Sequence, residues 1–177
     1  MKLRVVPIMW SVVISVIVLF GGWVSIHRYA IEQPFKQSVS EINGIASAHI
    51  DFERDQTWVE LNLSQEAPLQ EVVQMVRHVA SSKRGVAPVV VEARSQSSQA
   101  IDEWWSQVLF EIAQAMETKQ YRDIPLILQQ NKSSLTGLHV VTAIDEEWVY
   151  IELHQGLDHK YIMLPRIPSQ LGVWRNE

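Results

Sequence analysis

The chain has 177 residues, with 15 Lys and Arg against 20 Asp and Glu, a formal net charge of −5, and no cysteine. The missing cysteine excludes a disulfide scaffold, a thiolate metal site, a cysteine nucleophile and a lipoprotein anchor. The charge excludes a nucleic-acid binder, because phosphate recognition needs clustered Lys and Arg and the longest basic cluster is Lys83-Arg84.

Residues 5–26, "VVPIMWSVVISVIVLFGGWVSI", carry no charge, and at about 1.5 Å per helical residue they extend roughly 33 Å, against about 30 Å of bilayer core. The stretch predicts a transmembrane helix. Trp10 and Trp23 lie toward its ends, and Pro7 falls in the first turn, where its missing N–H costs least. A cleaved signal peptide has a shorter apolar region and a small-x-small cleavage site, whereas "RYA" at residues 28–30 puts Arg in a small-residue position. Lys2 and Arg4 precede the helix, so the expected location is the cell membrane, single-pass, with the N-terminus cytoplasmic and residues 27–177 outside.

After a linker over 27–32, apolar residues at Ile31, Phe35, Val39 and Ile42 define one face of a helix that begins near Gln33 because of Pro34 and stops at Asn43-Gly44. Ala46, Ala48, Ile50 and Phe52 then alternate with polar residues. The alternation resumes through Val59, Leu61 and Leu63 after a turn at 54–56, which predicts a β-hairpin with one buried face. A helix from Pro68 to Gly85 and a strand over 87–93 complete an α-β-β-α-β module at 33–93.

Residues 94–99 form a polar linker in which Ser97 or Ser98 can cap the next helix. That helix has the stripe Ile101, Trp105, Val108, Ile112 and Ala115 or Met116. A short helix begins at Asp123, and strands follow at 138–144, 148–153 and 161–164, so that 100–166 reads α-α-β-β-β. Residues 1–4 are a cytoplasmic tip and 167–177 a C-terminal tail. The expected fold class is α+β: an N-terminal transmembrane helix followed by two small α+β units.

One pattern recurs. Residues 49–61 and 139–151 share His49/His139, Asp55/Asp145, Trp58/Trp148 and Val59/Val149, with Leu63/Leu153 just beyond. These are strand and turn residue types, and the recurrence reads as architecture.

The α-β-β-α-β order, with "INGIASAHIDF" leading into "WVELNL", then an amphipathic helix and a valine-rich strand, resembles BON and ring-building modules of envelope assemblies. The same stretch is similar to the cores of sporulation lipoproteins, with Ile42, Gly44 and Ala48 in the positions of their "V-x-G-x-x-x-A" lead. The resemblance covers 33–93 and implies a role in envelope or sporulation assembly. The chain departs from the lipoproteins in having no anchoring cysteine.

Residues able to carry chemistry are sparse. His154, Asp158 and His159 surround one turn and read as polar residues on a solvated loop, while His49 and His139 meet only if the hairpins pack. The run Asp145-Glu146-Glu147 reads as a turn, and Glu103, Glu111 and Glu117 as a solvated helix face. No G-x-S-x-G, Ser-x-x-Lys or glycine-rich phosphate loop is present. No catalytic, metal or cofactor residue is therefore assigned, no cofactor is expected, and the chain is read as not an enzyme.

Trp104 lies off the apolar stripe that contains Trp105, and Trp174 lies in the tail, so both are candidate interface residues. The expected function is a membrane-anchored, non-enzymatic scaffold or assembly protein of the bacterial envelope, with a protein partner or self-association. The alternatives are a ligand- or peptide-binding accessory or sensor module and a membrane-tethered hydrolase.

Overall fold

The structure is a computed structural model that describes residues 5–27, 31–65, 67–83 and 85–167. It is α+β, with two three-stranded sheets. Its elements are α1 (Val5–His27), α2 (Gln33–Ser40), β1 (Ile45–Phe52), β2 (Thr57–Leu63), α3 (Leu69–Ser82), β3 (Val89–Ala93), α4 (Gln99–Glu117), α5 (Asp123–Asn131), a 3₁₀ turn (Lys132–Ser134), β4 (His139–Ile144), β5 (Trp148–Gln155) and β6 (Asp158–Pro165).

Among the described residues no helix is long and apolar enough to cross a membrane. This corrects the transmembrane helix expected at 5–26. The segment is helical over Val5–His27.

The first sheet has the order β1-β2-β3. β1 and β2 form the expected antiparallel hairpin, and β3 returns parallel to β2 through α3, with Val59 opposite Val91. The alternation on β1 is broken by a bulge between Ile45 and Ser47, so Ile45 packs on the core and Ala46 is exposed, contrary to the simple period-2 reading. Phe35 and Val39 of α2 and Leu69, Val72, Val73 and Val76 of α3 cover the inner face of this sheet.

Gly44 is not the helix cap that its position after α2 suggested; it opens β1 at φ +96°, and a Cβ there would lie 2.7 Å from the Ala67 Cβ. Only glycine fits such a turn without strain.

The second sheet is fully antiparallel, in the order β4-β5-β6. β6 starts at Asp158, earlier than the predicted 161, because β5 and β6 are joined by the two-residue turn Gly156-Leu157. Gly156 has φ +63°, the conformation a first central turn residue needs to match strand twist. His154, Asp158 and His159 are therefore strand residues, which corrects their placement on a solvated loop.

β5 is buried on both faces. Val149, Ile151 and Leu153 join α4 and α5 in one core, while Tyr150 joins the core of α2, α3 and the first sheet. The layers run first sheet, α2 with α3, second sheet, α4 with α5. The linker after β3 follows the edge of β6, where His159 N–H donates to the Gln96 carbonyl at 2.8 Å and Tyr161 N–H to Ser95 Oγ at 3.0 Å.

The repeated hairpins are not equivalent in register. His49 lies opposite Glu60, whereas His139 lies opposite His154.

Candidate functional site

Side-chain hydrogen bonds join the two units along the seam between α3 and the second sheet. Gln70, Gln74 and Arg77 repeat at helical spacing along α3 and reach the turn between β4 and β5. Gln70 donates to the Ile144 carbonyl at 3.0 Å, Gln74 to Asp145 Oδ2 at 3.3 Å, and Arg77 pairs with Glu147 at 2.9 Å. The Arg77 guanidinium also lies 5.2 Å from the Trp148 ring centroid.

Asp145 organises that turn. Its Oδ1 accepts from the backbone N–H of Glu147 at 2.8 Å and of Trp148 at 2.7 Å, and its Oδ2 accepts from the Tyr150 hydroxyl at 2.7 Å. Burial pushes the carboxyl upward, but the bonds from Tyr150, Trp148, Glu147 and Gln74 outweigh it and hold the carboxyl below the usual range. Burial first, and then Asp145, raise the Tyr150 hydroxyl.

With the folded value of Asp145 below the unfolded value of about 3.9, the unfolded chain takes up the proton first on acidification. The stabilisation is complete above pH about 5 and is lost as pH falls through the folded value. Denaturant titrations are expected to show this acid loss in the wild type and a shallower slope in Asp145→Asn.

At the other end of the seam, Glu152 is 5% exposed, and its Oε1 accepts from the Leu69 N–H at 2.9 Å, at the N-terminus of α3. Its Oε2 lies 3.4 Å from His154 Nε2. His139, His154 and His159 stand in one row across β4, β5 and β6, with the rings of His154 and His159 6.4 Å apart. A cleft of about 490 Å³ opens over His139, Glu152 and His154. Among the described residues no group of three His, Asp or Glu side chains is placed to hold a metal ion. His49, on β1, is outside the row.

A different chemistry lies on the outer face of α4. Phe110 is 81% exposed. Beside it, Leu109, Ile112, Ala113 and Met116 of α4 face Leu164 and Pro165 of β6 across a groove of about 460 Å³, rimmed by Glu117, Lys119 and Arg166. An exposed phenylalanine next to an apolar groove is a feature of contact surfaces.

Lys119 holds a left-handed backbone, φ 57°, just past the end of α4. The bond from Gln120 N–H to the Ala115 carbonyl at 2.8 Å closes the helix in the way a glycine usually permits. Lys119→Gly is expected to raise stability by about 1 kcal/mol, read from thermal melts. The natural chain keeps an ammonium there instead.

The candidate interface residue Trp104 is placed elsewhere. It is 3% exposed, and its Nε1–H donates to the Asn131 carbonyl at 3.0 Å. This corrects the reading of Trp104 as a partner surface: α5 and the turn after it close over the flank of α4. Trp174 lies outside the described residues. The residue that sequence reasoning missed is Phe110, whose signal was an aromatic side chain well off the apolar stripe of its helix. No family model, curated protein or solved structure matches the chain.

Proposed function

We propose that the protein is a non-enzymatic assembly protein of the bacterial envelope, held at the membrane and acting through protein–protein contact. The observation that carries this reading is the outer face of α4 and β6, where Phe110 stands 81% exposed beside an apolar groove. Such a surface gains free energy only when a partner covers it. Attachment to lipid is supported by the exposed apolar side chains of α1 between Met9 and Phe20. The resemblance of 33–93 to ring-building modules and sporulation lipoprotein cores supports assembly as the role. The carboxylates of the seam are occupied in holding α3 to the second sheet, which argues for a structural use of Asp145 and Glu152.

The test is photo-crosslinking in cells from a benzophenone side chain at position 110, with position 157, which is also exposed, as the control. A discrete protein adduct from 110 alone is the expected result. Equal or absent adducts from both positions sink the reading.

A second reading, a ligand- or peptide-binding module, is favoured by one observation: the cleft of about 490 Å³ lined by the buried Glu152 with His139 and His154. A metabolite or glycan that raises the melting temperature of the wild type but not of His154→Ala would move the assignment there.

A further inference from the structure

We propose that the partner on the α4–β6 face is a second copy of the chain, paired about a two-fold axis so that Phe110 of each protomer enters the groove of the other. The proposal rests on the assembly reading above and names its partner.

Three observations carry it. First, the projection and the recess lie on one face. Phe110 adjoins Leu109 and Ala113, two residues that line the groove. A two-fold contact uses the same patch on both protomers, so that patch must hold both the inserting group and its receptacle.

Second, the charges are complementary in the same arrangement. Glu103 and Glu117 lie seven residues before and after Phe110, on the same line of the helix, and so flank the inserting ring. Glu117, Lys119 and Arg166 rim the receiving groove, and of the two cations Arg166 is engaged within the chain, stacked 4.7 Å from the Tyr121 ring centroid and donating to the Asp145 carbonyl. Among the described residues Lys119 has no carboxylate within 4.0 Å. Seating the ring of one copy in the groove of the other, with the two α4 helices antiparallel about the two-fold axis, brings Glu103 of one toward Lys119 of the other, and the reverse contact repeats it.

Third, Lys119 occupies a left-handed backbone position that glycine adopts without strain. A cation kept at the rim against that conformational preference fits a role in contact.

The experiment uses the full chain in detergent micelles, with donor- and acceptor-labelled copies mixed over a range of concentrations and association read by energy transfer. Phe110→Ala removes the inserting ring, and Ala113→Trp fills the groove. Each is expected to weaken self-association by roughly ten- to a hundredfold, as removal of a central aromatic contact does. Mixing the two variants leaves one intact ring and one intact groove, so the mixed pair is expected to associate more tightly than either variant with itself.

Self-association that neither variant changes overturns the proposal, since any association would then come from elsewhere, α1 included. A wild type that does not self-associate also overturns it. The crosslink from position 110 separates the two levels of the argument. An adduct at twice the chain mass supports the second copy. An adduct with a different protein, or an internal link to residues 168–177, overturns it, and the first of these leaves the assembly reading standing. No adduct removes both.

Discussion

Trp104→Ala is expected to lower stability by about 3–5 kcal/mol, the range for truncating a large buried aromatic. The side chain is 3% exposed and packs in one cluster with Ile101, Val108, Ile112, Ile124 and Leu128, where α4, α5 and the second sheet meet. Its indole N–H donates to the Asn131 carbonyl at 3.0 Å, which fastens α4 to the end of α5. The Ser134 hydroxyl donates to the same carbonyl at 2.7 Å. Losing the indole therefore leaves that oxygen partly satisfied, and most of the cost is lost packing. Trp104→Phe, which keeps a ring and removes the donor, is expected to cost less than half as much. Phe110→Ala is the counterpart: a change at an exposed position that moves folding stability by no more than about 0.5 kcal/mol. Denaturant midpoints of the three variants decide the matter. A loss below about 1 kcal/mol in Trp104→Ala would return that tryptophan to the surface.

The contrast between Trp104 and Phe110 shows what the chain makes legible. Element order was readable because it depends on local periodicity: α-β-β-α-β and α-α-β-β-β appear as the patterns at 33–93 and 100–166 predict. What a helix flank meets is decided by segments far along the chain. Trp104 lies off the stripe of Trp105 and Val108, yet α5 covers it; Phe110 lies further round and nothing in the described residues does. The spacing of Gln70, Gln74 and Arg77 is that of a solvated helix face, but their partners Ile144, Asp145 and Glu147 lie seventy residues or more away. Strand β6 began earlier than its apolar residues implied, because His159 faces the seam and so disguises the alternation. The identity between His49 and His139 says nothing of register, since one faces Glu60 and the other His154.

Glu152→Ala is expected to cost about 2–4 kcal/mol, and the reason is the start of α3. The first turn of a helix has N–H groups without intrahelical partners. Here the residue before it is Pro68, which supplies no capping side chain. Glu152 reaches across from β5, on the other unit, and accepts the Leu69 N–H at 2.9 Å while 5% exposed. It places a negative charge at the positive end of the helix dipole, with His154 Nε2 3.4 Å from its other oxygen. Alanine leaves a buried donor unmet and a space where the carboxylate stood, and an unmet buried donor alone costs about 1–3 kcal/mol. Glutamine keeps an oxygen that can accept the same N–H, so Glu152→Gln is expected to cost about 1 kcal/mol. The two variants together separate capping from packing. Hydrogen exchange adds a local readout: the N–H of Leu69 is expected to exchange faster in Glu152→Ala than in Glu152→Gln, while amides in β1 change only by the global loss of stability. If both variants matched the wild type in stability and in exchange at Leu69, the seam would be held by the Gln70, Gln74 and Arg77 contacts and by apolar packing without Glu152. Glu152 would then be free to act on whatever enters the cleft above it, and the ligand-binding reading would gain.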